Sequence, residues 1–177
     1  MMRVFLGILF LVCWLAQPVW AGLQVGQVPE KVELAGDAGG RLDGSPWSSD
    51  ELKGKVHVLF YVDPDEKDLN NPASEALKEA EFPLDKYRSL GVINMAATWL
   101  PNFVISSSLE KKQEKYPSTL YLRDYKKVFV TEWGIADDTS DVLAFDKLGR
   151  LLFIKEGLLN EQDIQDLLRV IREHLDD

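Results

Sequence analysis

Apolar and polar positions follow the clearest rhythm between Val56 and Val62. Val56, Val58, Phe60 and Val62 fall on one side at period two, and His57, Leu59 and Tyr61 on the other. Both sides are apolar enough to predict a strand buried on both faces, the centre of a sheet with helices packed above and below. The strand opens into an acidic loop, Asp63 to Asp68. In open α/β sheets, ligands bind in the crevice beyond the carboxyl ends of such strands, so this loop is the first place to look for chemistry. It holds no thiol, hydroxyl or imidazole.

The remaining elements follow from periodicity and punctuation. Ahead of the central strand, Val32 to Leu34 reads as a short strand, and Gly36 to Gly40 and Asp43 to Pro46 as turns. Ser48 with Glu51 three residues on forms a capping box for a single helical turn that Gly54 ends. Behind the acidic loop, Asn71 offers a cap and Pro72 a first helical position. Ala73, Ala76, Leu77 and Ala80 make the stripe of that helix, and Pro83 stops it. Gly91 leads into a strand from Val92 to Ala97, then an aromatic turn, Thr98 to Pro101. Phe103 to Tyr116 reads as a helix with a solvated charged end, and Thr119 to Arg123 as a third strand. Lys126 to Gly134 is ambiguous, with Val128, Phe129 and Val130 favouring a strand. Val142 to Phe145 and Leu151 to Ile154, joined by Asp146-Lys147-Leu148-Gly149, predict a hairpin. Asn160 caps a last helix whose stripe is Ile164, Leu167, Leu168, Ile171 and Leu175. There is no internal repeat.

The chain's start changes the picture of where it works. Met1 to Arg3 is a short positive segment, Val4 to Leu15 an apolar run, and Pro18 a break. Val19-Trp20-Ala21 then supplies small residues where a signal peptidase reads, the pattern of a secretory signal cut after Ala21. The run is shorter than the roughly 20 residues a membrane span needs. The expectation is therefore a cleaved leader, 1–21, then one domain, 22–177, with no further membrane segment. The sequence has 20 Lys and Arg against 29 Asp and Glu, a formal charge of −9, and loss of Arg3 makes it −10. So acidic a domain is unsuited to nucleic acid or to anionic lipid surfaces. The single cysteine, Cys13, leaves with the leader. An exported chain without cysteine cannot run thiol exchange, thiol-based peroxide reduction or cysteine proteolysis.

The order strand, helix, strand, helix, strand, hairpin, helix is the thioredoxin-like plan, an α/β fold with a mixed central sheet and helices on both faces. Leu52-Lys53-Gly54-Lys55-Val56 resembles the lead-in to the active-site loop of exported thioredoxin-like and peroxiredoxin-like proteins. A closer set consists of Trp47-Ser48, Gly54-Lys55-Val56, Ser107-Ser108-Leu109-Glu110, Tyr116-Pro117, Asp146-Lys147-Leu148-Gly149-Arg150 and Lys155-Glu156-Gly157 with Leu159. These resemble the YtfJ family of exported bacterial proteins over nearly the whole mature chain. The resemblance implies the thioredoxin-like fold and a periplasmic address in a Gram-negative bacterium; it brings no assigned reaction and no catalytic residues. In redox members of the fold, two cysteines open the helix after the central strand and face a cis-proline ahead of the hairpin. Aligned on Gly54-Lys55-Val56, the cysteines fall near Glu66 and Leu69 and the proline near Thr139 or Ser140, where neither residue type occurs.

The remaining candidates sort by chemistry. Asp63, Asp65, Glu66 and Asp68 are hard oxygen donors of the kind Ca²⁺ takes. The loop lacks the glycine and the terminal bidentate glutamate of a calcium loop, and its charge equally suits an exposed helix approach. No metal and no cofactor are therefore expected. His57, inside a strand, reads as a hydrogen-bonded core histidine, and His174, in a helix's last turn, as one that offsets the helix dipole. No G-x-S-x-G elbow is present, and no catalytic residue is assigned. Of Trp47, Trp99 and Trp133, Trp99 alone follows the second strand directly, on the same edge as the acidic loop. The candidate ligand-binding set is thus Asp63, Asp65, Glu66, Asp68 and Trp99. The expected role is a non-catalytic binding or accessory module with a periplasmic protein or a small molecule as partner. The alternative is a metal- or carboxylate-assisted enzyme working at the acidic loop.

Overall fold

The central strand takes the predicted bounds, and both of its neighbours are paired. In the computed structural model, which describes residues 22–176, strand β4 spans Val56–Val62. The segment read as a secretory signal, 1–21, lies outside the described residues. Strand β4 pairs in parallel with β5 (Tyr87–Asn94) and antiparallel with β7 (Ser140–Phe145). Outward from these lie β6 (Leu120–Asp124) beside β5, β2 (Gly39–Arg41) beside β6, and β8 (Leu151–Lys155) beside β7. The order β2-β6-β5-β4-β7-β8 makes a mixed six-stranded sheet. A separate ribbon joins β1 (Glu33–Leu34) to β3 (Trp47–Ser48).

Each face of the sheet buries what the period-two pattern assigns to it. Val56 and Val58, with Val142 and Ala144 of β7, pack under helices α1 (Asn71–Glu79) and α4 (Glu161–His174), through Ala73, Leu77, Ile164, Leu167, Leu168 and Ile171. Helix α2 (Asn102–Lys115) sets Ile105 and Leu109 against Ile93 and Met95. The opposite face buries Leu59, Tyr61, Leu143 and Phe145 against the ribbon and helix α3 (Val128–Trp133). Helices on both faces of a mixed sheet are what the twofold burial of β4 requires. The Ser48 and Asn160 capping boxes both form. Among the described residues no helix is long and apolar enough to cross a membrane.

Four local expectations give way to tertiary structure. Within 126–134, the residues Val128–Trp133 form a helix rather than a strand. Phe129 and Trp133, one helical turn apart, fill the second core, with Phe129 stacked on Trp47 and edge-on to Trp133. Left-handed residues, Lys127 and Gly134, bracket it at φ 53° and 68°. Strand β5 starts at Tyr87 and runs through Gly91, because the Tyr121 ring lies over that position. A Cβ there would sit 3.0 Å from the ring's Cδ1 and Cε1. The turn expected at 36–40 forms as a 3₁₀ turn over Gly36–Ala38 but is cut short by β2, which begins at Gly39, where a Cβ would come within 1.9 Å of the Arg123 carbonyl oxygen. Finally, the cap of α1 is Asn70, not Asn71, and its side chain makes no capping bond.

Candidate functional site

Strands β4, β5 and β6 all end at one edge, and β7 begins there. Each contributes a polar residue to that edge. From β4 comes Asp63, buried, whose backbone N–H donates to the Thr139 carbonyl oxygen at 2.9 Å and whose Oδ1 accepts from the Asp65 N–H at 2.8 Å. Pro64 then opens a single 3₁₀ turn, Pro64–Glu66. Burial pushes the Asp63 carboxyl upward; the Asp65 N–H opposes this, and Asp65, Asp138 and Glu66 add to it by repulsion. The loop then turns outward: Asp65, Glu66 and Asp68 are exposed, and Asp68 accepts from Asn71 Nδ2 at 3.2 Å.

Asn70 explains why the loop lies where it does. Its Nδ2 donates to the carbonyl oxygens of Ser140 at 2.8 Å and Gly157 at 3.0 Å, and its Oδ1 accepts from the Leu159 N–H at 3.0 Å. One buried amide thereby ties the approach to α1 to the start of β7 and to the β8–α4 connection. The side chain is consumed by these three bonds, which is why none remains to cap the helix.

A second layer lies beneath. Asp124, fully buried at the end of β6, accepts from the Tyr61 hydroxyl and the Phe129 N–H at 3.2 Å each, and from the Lys126 N–H at 3.0 Å. Burial, then Asp124, push the Tyr61 phenol far upward, so it stays a hydrogen-bond donor. Asn94, ending β5, donates to Asp137 Oδ1 at 2.8 Å, and Lys127 Nζ reaches Asp137 Oδ2 at 2.6 Å. That lysine holds the Asp137 carboxyl below its ordinary range. Asp141, directly across from Tyr61 in the β4–β7 register, has no exposed surface. Its Oδ1 accepts from the Gly157 N–H at 3.2 Å while Oδ2 has no partner, and burial pushes the carboxyl up to about 6.

The five residues singled out in the sequence are therefore only partly assembled. Asp63 is built into the edge, whereas Asp65, Glu66 and Asp68 face water separately. Among the described residues no three His, Cys, Asp or Glu side chains converge as a metal would need. Trp99 stands 85% exposed, while Trp47 and Trp133 belong to the core, Trp133 donating Nε1–H to the Glu30 carbonyl oxygen at 2.7 Å. His57 is buried, with Nδ1 3.0 Å from the carbonyl oxygens of Leu52 and Lys55; His174 Nδ1 lies 2.8 Å from the Val170 carbonyl oxygen. Near Thr139 and Ser140 there is no proline, and no peptide bond among the described residues is cis. Sequence reasoning missed Asn70, Asn94, Asp124, Asp137 and Asp141. The available signal was position: each polar residue adjoins or ends an apolar strand or opens a helix at one common edge.

This sheet defines a thioredoxin-like protein, and its carboxyl edge carries carboxylates and amides and no thiol. The fold matches the exposed lipoprotein thioredoxin Etrx1 of Streptococcus pneumoniae strain TIGR4 at TM-score 0.54 and 19% identity, covering 81% of this chain and 98% of that one. It also matches the thioredoxin-like superfamily protein SPOA0173 at TM-score 0.57 and 18% identity, covering 88% and 94%. The chain belongs to the bacterial family YtfJ_HI0045, described as of unknown function, whose pattern it matches over residues 24–174. It is 29% identical over 133 residues to the uncharacterized protein YtfJ of Escherichia coli (strain K12), covering 73% of this chain and 72% of that one. It is 32% identical over 130 residues to an uncharacterized protein of Haemophilus influenzae, covering 71% and 70%.

Proposed function

We propose that the chain is exported to the periplasm, loses residues 1–21, and acts there as a non-catalytic binding module at the carboxyl edge of its sheet. The observation that carries this is the state of that edge. Apart from Asp141 Oδ2, the buried polar groups described at this edge are hydrogen-bonded within the fold, and its most exposed aromatic side chain, Trp99, is left to the solvent. An edge organised in this way offers a preformed surface and no thiol. The test is capture from periplasmic extract on immobilised protein, comparing wild type with Trp99→Ala. Loss of specific capture in the variant is the expected result, and identical capture overturns the reading.

One observation favours a second reading, a carboxylate-assisted enzyme. Burial and then the neighbouring carboxylates push the Asp63 carboxyl above its ordinary range, the direction in which general acids and bases are tuned. The double variant Asp63→Asn, Asp65→Asn separates the two. It abolishes turnover by an enzyme and only weakens a binding surface.

A further inference from the structure

Apolar side chains left in water concentrate at one place. Trp99, Phe103 and Val104 are 85%, 75% and 44% exposed and lie within six positions, the only such group with aromatic rings among the described residues; Val25 and Val28 form an aliphatic pair, and Leu84, Leu148 and Leu158 stand alone. Helix α2 turns only Ile105 and Leu109 inward and gives its first-turn apolar residues to the solvent. Clustered aromatic exposure of this kind marks an interaction surface rather than ordinary surface composition. Along the helix the same outer face continues through Ser107 and Ser108 to Lys111.

Charge says what covers it. Strands β4 and β5 are parallel neighbours, so the acidic loop and the Trp99 turn leave the sheet at the same edge, and Val62 and Leu100 pack on one shared cluster. At that edge Asp65, Glu66 and Asp138 each lie close enough to Asp63 to repel its charge. Among the described residues none of the four is in an ion pair, and Lys127, which feels Asp63 and Asp138, is bound to Asp137. At the other end Lys111 lies about 12 Å along the helix axis from Phe103. A second copy of this chain would bring a further formal charge of −9 against the acidic edge, and an anionic lipid surface meets the same repulsion.

We propose that Trp99, Phe103 and Val104 form the docking surface for a basic segment of a partner polypeptide. One apolar side chain of that segment seats against Phe103 and Val104, and its Lys or Arg residues lie over Asp65 and Glu66. Lys111 repels the segment at the far end and so fixes its direction. This rests on the carboxyl edge being a binding surface and adds the chemistry of what binds.

The probe is a labelled peptide of Lys and Ser with a single Phe, compared with the same peptide carrying Glu for each Lys and with one carrying Ser for the Phe. Titrated against wild-type protein by fluorescence anisotropy, the Lys–Phe peptide binds about tenfold or more tighter than either control, and its affinity falls as salt rises. Phe103→Ser, and separately Asp65→Asn with Glu66→Gln, each weaken it by about tenfold with an unchanged melting temperature. Equal binding of the Lys and Glu peptides, or a Phe103→Ser variant that binds like wild type, overturns the proposal. If the peptides fail while Trp99-dependent capture from extract persists at about 0.5 M salt, only the partner's chemistry is wrong. If Trp99→Ala also captures normally, the binding reading itself has failed.

Discussion

Asp141 holds a carboxyl group at full burial with one oxygen unpartnered, and that arrangement has a pH signature. Its folded pKa, about 6, lies above the ordinary carboxyl value of 3.8. The native state therefore binds more protons than the unfolded chain between these two values, so its contribution to stability declines as pH rises through that window. Above the folded pKa the whole cost is present, on the order of 3 kcal/mol at 1.36 kcal/mol per unit. Asp141→Asn keeps the acceptor for the Gly157 N–H and removes the charge. Urea denaturation should show the variant more stable than wild type by about 1–3 kcal/mol at neutral pH and little changed near pH 4. A shift of equal size at both pH values would refute the burial argument. Asn70 carries the opposite sign. Its three hydrogen bonds span the loop before α1, the start of β7 and the β8–α4 connection. Asn70→Ala leaves two buried carbonyls and an N–H without their partner, and should cost about 2–4 kcal/mol in the same measurement.

At the level of elements, α3 shows how packing overrides local preference. Val128, Phe129 and Val130 are strand-forming residues, and a short polar-flanked run gives no helical period to read. What makes the segment helical is non-local. Phe129 must meet Trp47 and Tyr61, and Trp133 must meet Phe145, which a turn of helix achieves from positions four apart. Phe129→Ala should therefore cost about 3–5 kcal/mol and lower the melting temperature sharply. Retention of wild-type stability would mean that the aromatic cluster does not hold the helix. The same distinction governs what could be read beforehand. Strand β4, the hairpin of β7 and β8, and the capped helix α4 were legible because period and caps are local. The glycine inside β5 reads locally as a boundary because its reason, the Tyr121 ring, lies on another strand. The site was half legible for a related cause. Asp63 and Trp99 announce themselves at the end of an apolar run, whereas Asn70, Asp124 and Asp137 are joined only when four chain segments meet at one edge.

On the scale of the whole molecule, the sheet is thioredoxin-like while its edge carries carboxylates and amides, and the electrostatic consequence is measurable. A catalytic thiol needs its thiolate stabilised, and in this fold the start of the helix after the central strand supplies part of that. Here the segment that would carry the thiols is a 3₁₀ turn and a further turn, closed by the Leu69 N–H donating to the Glu66 carbonyl oxygen at 3.0 Å, and α1 begins only at Asn71. Position 66 thus lies outside the helix, beside Asp63 and Asp65, in a chain whose formal charge is −9. Each of these factors disfavours a thiolate. The double variant Glu66→Cys, Leu69→Cys, made on residues 22–177, should titrate by thiolate absorbance near 240 nm with its more acidic thiol at or above the ordinary value of about 8.5. Its insulin-reducing turnover should not exceed that of a small free dithiol at equal concentration. A thiol pKa below about 7 in this variant would show that the fold alone supplies redox activation. The identity of residues 66 and 69, a glutamate and a leucine, would then be what separates this edge from thiol chemistry.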